Sequence, residues 1–454
     1  MGQDANRLVL QIVRYGLPLT ILIFYVTASQ SIEYAPESTF EHLRYAGDLL
    51  QGRGLAGPGW AGVGGTPSPL WVLFISGGGV LGLDLLLTAR IFSLFFSCLV
   101  LLLTFLIAVE LLSGRIVALC ATLVVGVEAW LLQVAPSGGA GAIGLVLSLA
   151  ALFFHLRGER ILPVIFAGLC TLVCWQAIAL FGFLLLHRVL FAPPGRGSLR
   201  MGVGPLFVYA TLLLPWLAVG TLTGAGLLPL FIGETAAISL PGMIAWILLL
   251  TLATVGVVSQ GIAGGGFRLF LETHGVTVAW MLWLLMLGLG SSWELLLLAY
   301  PVVVVYSFLG LRHLLRGLYA GEAPSFSLFV ATALLMLANQ TEYHLTVKPT
   351  MARSVSMVNE LAAVAGWMRT ETTAETSVQS DRPWTLSYLS RREVEPLPGG
   401  GSRRAVDLIV TTEKEIGGFT EVYRPALELL RDGRGGGGRY AVWKRTENTI
   451  EEVP

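Results

Sequence analysis

Charge is what this sequence has least of. Only 13% of its 454 residues are Asp, Glu, Lys or Arg, and the 29 basic and 29 acidic side chains cancel to a formal net charge of zero. Without a basic excess there is no electrostatic footprint for nucleic acid, so no nucleic-acid partner is expected. Cysteine is scarce as well. Cys98, Cys120, Cys170 and Cys174 all lie in apolar runs, at spacings that fit neither a zinc site nor a disulfide framework, and read as small core residues. No internal repeat stands out, which removes support for a transporter built from inverted halves. The first apolar run lacks a small-residue cleavage site after it, so it is expected to stay as an anchor.

What is abundant is apolar: 54% of the residues are hydrophobic, which points to a polytopic α-helical membrane protein. About eleven candidate spans fall near residues 8–28, 87–113, 115–134, 138–156, 161–176, 177–191, 203–222, 241–261, 274–290, 294–311 and 324–341. Lys and Arg sort to one side of this arrangement. If Arg7 and Arg14 are cytoplasmic, so are the joints carrying Arg115, Arg157 with Arg160, Arg188, Arg268 and Arg312, while the alternate joints carry no basic residue. The expected setting is a plasma (inner) membrane, with the N-terminus cytoplasmic and membrane lipids as surroundings.

The last quarter differs in composition. From Glu342 to Pro454 there are 15 basic and 16 acidic residues, 31 of the 58 in the chain, so residues 342–454 read as a small water-soluble α/β domain on the outer, extracytoplasmic side, following a membrane domain of residues 1–341. An amphipathic helix opens it, with Val355, Val358, Leu361, Val364, Trp367 and Met368 on one face. Strands are expected at Trp384, Leu386 and Tyr388, at 405–412 and at Tyr440 to Trp443, with a helix from about Glu421 that holds Pro425 in its first turn. The run GRGGGG at 433–438 precedes a strand and opens no helix, so it reads as a linker and not as a phosphate loop.

Between the first span and the bulk of the chain lies the outer loop, residues 29–86, which holds most of the chemistry. Phe40, Leu43, Ala46, Leu49 and Leu50 recur at helical spacing while Glu41, Arg44 and Asp48 fall elsewhere, which predicts an amphipathic helix on the membrane surface. Glu37, Ser38 and Thr39 stand at its start, a position suited both to a helix cap and to a bound phosphate. A Gly- and Pro-rich stretch follows, with many backbone N–H groups free to face a ligand, and then a short apolar run at 69–83, expected not to cross.

This segment resembles the GT-C class of membrane glycosyltransferases, in particular bacterial arabinofuranosyl- and mannosyltransferase-like members that use a polyprenyl-phosphate-sugar donor. Their pattern Asp-Asp-Ala-Phe, then Arg-Tyr-Ala, a Gly-rich turn and Thr-Ser-Pro-Leu-Trp is matched by Glu37, Ser38, Thr39 and Phe40, by Arg44, Tyr45 and Ala46, by GRGL, and by Thr66, Ser68, Pro69, Leu70 and Trp71. GLDLLLTAR, ending in Arg90, and the later Gly-Trp-Met-Arg-Thr-Glu are similar too. Three positions depart: Ser38 replaces the second Asp, Gly138, Gly139 and Ala140 stand for Gly-Met-Glu, and Cys174, Trp175 and Gln176 stand for Arg-Pro-Glu.

The resemblance implies inverting transfer of a sugar to a glycan, lipid or protein acceptor outside the membrane. A carboxylate would act as base and a divalent cation, Mg or Mn, or a cationic side chain would neutralise the departing lipid phosphate. Glu37 is then the catalytic and metal-binding carboxylate, with Glu41, His42, Arg44, Tyr45, Glu128 and Gln176 as substrate-binding candidates. Each also has a bland reading. His42 fits an interfacial helix residue, Arg44 a headgroup contact, and Glu128 an acid snorkelling to the outer surface. Glu234, Glu294, Lys348 and Arg353 read as solvated or interfacial. With carboxylates lost, a non-catalytic scaffold that binds a lipid-linked sugar or a partner enzyme is the alternative.

Overall fold

The computed structural model describes residues 3–54, 68–112, 114–191, 198–223, 240–263, 267–290, 293–318, 325–373, 375–397, 406–412, 419–425 and 440–445. The Gly-rich stretch at 55–67, Glu234 and the run at 433–438 lie outside them.

Helices form at every one of the expected apolar stretches. In chain order they are α1 (Gln3–Ser29), α2 (Glu37–Leu50), α3 (Pro69–Val80), α4 (Leu85–Leu111), α5 (Arg115–Gly126), α6 (Ala129–Ser137), α7 (Gly141–Leu156), α8 (Leu162–Thr171), α9 (Ile178–Leu190), α10 (Ser198–Thr223), α11 (Leu240–Ala263), α12 (Phe267–Gly290), α13 (Trp293–Leu318) and α14 (Ser325–Glu342). A single 3-10 turn, Trp175–Ala177, joins α8 to α9. Among the described residues five helices are long and apolar enough to cross a membrane alone, within α1, α4, α11, α12 and α13, and six if α5 and α6, bent by 64° at their junction, count as one span. This is a multi-pass membrane protein. The twelve residues of α3 reach only about 18 Å, too short for a bilayer core, in keeping with an apolar run that does not cross.

Packing in the bundle depends on small residues. A Cβ at Gly310 of α13 would fall 2.0 Å from the Leu252 carbonyl oxygen of α11, and one at Gly256 would fall 2.2 Å from the Tyr306 carbonyl oxygen, so these two helices meet backbone to backbone. The outward apolar side chains of α1, among them Leu10, Tyr15, Leu19 and Leu22, are exposed as lipid-facing residues are.

A π-helical turn, Tyr343–Val347, carries α14 into α15 (Lys348–Glu371), which buries Leu361, Val364 and Met368 as expected and Ala365 besides, while Val355, Val358 and Trp367 are half-buried. Beyond it come β1 (Val378–Ser380), α16 (Pro383–Ser390), β2 (Glu395–Pro396), β3 (Leu408–Thr411), β4 (Phe419–Tyr423) and β5 (Ala441–Arg445). The sheet order is β2-β1-β3-β5-β4, with β1 parallel to both β2 and β3, and β5 antiparallel to β3 and β4. Leu408, Val410 and Val442 pack on α15, while Ile409 and Trp443 turn to the other face.

Two expectations about this domain need correction. Trp384, Leu386 and Tyr388 belong to a helix: Pro383 at its first position presets the backbone, and Trp384 and Tyr388, four apart, share the face that meets α2. Residues 421–423 are strand, where Val422 and Tyr423 favour a pleated surface, and the remainder of the expected helix lies outside the described residues from 426 on.

Candidate active site around α2

α2 is covered on both sides. Its apolar positions Phe40, Leu43 and Ala46 are buried in the bundle against α3 and α4, so the surface-lying helix of the sequence reading is a protein-enclosed one. Side-chain ties fix it there. Thr39 Oγ1 donates to the Ser137 carbonyl at 2.9 Å, and Trp71 Nε1 on α3 donates to the Gly138 carbonyl at 3.1 Å. Gly138 has φ 74°, and a Cβ on it would come within 3.3 Å of both Ala89 and Thr39. The position where the family pattern has Gly-Met-Glu therefore serves here as the left-handed end of α6, packed under α2.

The outer face of α2 carries Glu37, Glu41, Arg44 and Asp48 at helical spacing, and α16 lies over it. Phe40 and Tyr388 have ring centroids 5.6 Å apart, Tyr45 and Trp384 5.8 Å apart. Tyr45 thus packs against the C-terminal α/β domain. Glu37 is held by the same helix: the Thr385 backbone N–H donates to its Oε1 at 3.0 Å and the Thr385 hydroxyl donates to its Oε2. A carboxyl group that begins one helix caps the start of another. Burial pushes its pKa up, against the two Thr385 bonds and the Arg382 charge, which pull it down.

Glu41, one turn on, makes no hydrogen bond or ion pair among the described residues. Burial, and then the charge of Glu37, raises its pKa to about 7. His42 is fully committed. Its Nδ1–H donates to the Ser38 carbonyl at 2.5 Å and its Nε2 accepts from the Ser68 N–H at 3.4 Å, an arrangement only the neutral ring satisfies; burial drops its pKa to about 4. Arg44 pairs with Asp48 at 3.4 Å, and Arg53 also bonds Asp48, its Nε at 3.0 Å. One buried carboxylate between two guanidiniums leaves a unit of positive charge at this end of α2.

Ser68 links α2 to the α8–α9 junction, since its hydroxyl donates to the Val173 carbonyl at 2.7 Å. Three residues on, Gln176 is buried with Oε1 lacking a partner among the described residues, and the neighbouring Trp175 Nε1 is likewise buried without one. Glu128 is not part of this group. It caps α6 by accepting the Leu131 N–H at 2.6 Å, and the nine residues of α6 set it about 13 Å from the Ser137 end that meets α2. Lys348 and Arg353 are exposed at the start of α15, and the side chain of Glu294 is outside the described set. Asp48, Trp175 and Thr385 were missed in the sequence. Asp48 carried a signal, its i,i+4 spacing from Arg44, whereas Thr385 carried none.

With its first-loop helix enclosed by a helical bundle and covered by a C-terminal α/β domain, the chain has the fold of the GT-C class of membrane glycosyltransferases. Two structures of ArnT from Cupriavidus metallidurans match it at TM-score 0.61. The one bound to undecaprenyl phosphate has 12% identity and covers 95% of this chain and 98% of that one; the apo state has 13% identity and covers 94% and 97%. Arabinofuranosyltransferase AftD from Mycobacteria matches at TM-score 0.50 and 13% identity, over 94% of this chain and 41% of AftD. No family model and no curated protein sequence matches the chain.

Proposed function

We propose that the protein is a membrane glycosyltransferase that takes a sugar from a polyprenyl-phosphate donor, with Glu41 as general base. The observation that supports this best is Glu41 itself: a half-buried carboxyl group without a partner among the described residues, with a pKa of about 7, on the first-loop helix of this fold. A base titrating near neutrality combines the right protonation state with proton-transfer driving force. The fold shared with ArnT, a protein bound in its structure to undecaprenyl phosphate, supports the lipid donor.

In this reading the acceptor oxygen bonds to the anomeric carbon as that carbon's bond to the phosphate oxygen breaks. The hydroxyl proton passes to Glu41, and the phosphate leaves on its lipid with configuration inverted. The surplus positive charge of Arg44 and Arg53 around Asp48 suits that phosphate, and Trp175 Nε1 and Gln176 Oε1 suit sugar hydroxyls. Glu37 positions α2 under α16 and raises the Glu41 pKa. The implied divalent cation finds no donor set here. No group of three or more His, Cys, Asp or Glu comes together among the described residues, and both Glu37 oxygens are engaged by Thr385.

The test is transfer by the purified full chain in lipid nanodiscs from labelled polyprenyl-phosphate sugars. Glu41→Gln is expected to lower the rate by about 100-fold or more with donor binding intact. The commitment of Glu37 to Thr385 and the loss of the second carboxylate at Ser38 favour one other reading, a non-catalytic scaffold that binds a lipid-linked sugar. It predicts donor binding and no product from the wild-type chain.

A further inference from the structure

At the end of the bundle remote from α2, a cavity of about 660 Å³ opens between the last turns of α7 and α9, the start of α8 and the near ends of α10 and α12. The sixteen residues of α7 separate it from the Gly138 junction by about 24 Å, so it is independent of the site around Glu41.

Its polar side holds two guanidiniums, Arg160 and Arg188, beside Glu159 and Glu272, the latter paired with Arg268 outside the lining. His155 and His187 meet edge to face with ring centroids 4.7 Å apart, and His187 Nε2–H donates to the Glu272 carbonyl at 2.9 Å. Arg188 reaches back to the carbonyl oxygens of Glu159, at 3.4 Å, and Arg160. The neighbouring arginines are neutralised, Arg157 by Glu110 at 3.0 Å and Arg268 by Glu272 at 3.3 Å. Arg160 and Arg188 have no carboxylate partner among the described residues, although the exposed Glu159 also lies in the lining. Two adjacent guanidiniums without a carboxylate among the described residues lack the neutralisation that Arg157 and Arg268 have.

The lining also has an apolar part, made by Ile161, Val164, Phe191, Pro205 and Val208. Next to it Leu162, Leu190, Leu206 and Phe207 are exposed, as side chains that face lipid tails are. A free phosphate ion would use only the polar part of this cavity. We infer that it holds a phosphate-headed anionic lipid from the adjoining leaflet, with the head on Arg160 and Arg188 and the chains along the Ile161–Val208 wall.

Native mass spectrometry of the full chain, released from detergent with added phosphatidylglycerol, phosphatidylcholine or inorganic phosphate, tests this. The wild-type chain is expected to retain one phosphatidylglycerol in preference to phosphatidylcholine. Retention should fall about tenfold in Arg160→Gln, an exposed position whose change leaves the Arg188 carbonyl contacts in place, and stay at the wild-type level in Arg157→Gln. Raising salt should weaken wild-type retention by a similar factor, a readout that needs no variant. Equal retention in Arg160→Gln and wild type, equal retention of phosphatidylcholine, indifference to salt, or displacement of the lipid by inorganic phosphate alone would each overturn the assignment.

Discussion

Replacing Glu41 by Gln probes the electrostatics of α2 without reference to any reaction. Burial, with Glu37 as the second cause, raises this carboxyl group from 4.5 to about 7, so the folded chain holds the proton more tightly than the unfolded chain does. Below pH 4.5 the group is protonated in both states and its stabilising contribution is fully present. As pH rises toward 7 the unfolded chain ionises first, and the contribution is lost through the folded pKa; the whole loss is about 3 kcal/mol. Gln carries no such proton. Glu41→Gln is therefore expected to match wild type near pH 4 and to exceed it by up to about 3 kcal/mol near pH 8. Unfolding by denaturant in detergent micelles, followed by tryptophan fluorescence at both pH values, measures this. A variant whose advantage is the same at both would refute the reasoning, because a packing change does not titrate.

Thr385→Val removes one of the two bonds to Glu37 at constant volume and is expected to cost about 1–2 kcal/mol, felt in α16 as faster amide hydrogen exchange. Unchanged protection there would mean that Glu37 does not hold the C-terminal α/β domain. Gly138→Ala forces a side chain into φ 74° and against Ala89 and Thr39; a loss of about 1–3 kcal/mol is expected in the same unfolding assay, and an unchanged midpoint would contradict the tight fit. Gln176→Leu removes the buried Oε1 that has no partner among the described residues, so stability should hold or rise slightly while sugar transfer falls. A drop in stability would make Gln176 a structural residue.

Much of the bundle was legible because long apolar helices announce themselves by composition, and α2 and α15 because their apolar positions recur every three to four residues. The segment around Trp384 was not, since W-T-L-S-Y satisfies both the two-residue period of a strand and the i,i+4 spacing of a helix face. Only the docking of Trp384 and Tyr388 on α2 decides between them. The site was half legible. Glu37, Glu41, His42, Arg44 and Tyr45 stood out as one helix, but their division of labour depends on partners far off in sequence. Thr385, 348 residues from Glu37, occupies the acid expected to be the base, and Ser68 takes the histidine expected to bind substrate. Glu128 was singled out as a buried acid near the outer surface, yet its backbone bond to Leu131 makes it the cap of a broken span.

The proposed transfer depends on Glu41 taking the acceptor's proton. Its most direct test is the pH profile of sugar transfer by the wild-type chain, read beside Glu37→Gln, which removes the charge that helps hold Glu41 high. The rate is expected to rise about tenfold from pH 6 to pH 8 with a midpoint near 7, and the midpoint to shift to lower pH in Glu37→Gln. A profile flat across that range, or the same midpoint in both proteins, would contradict it.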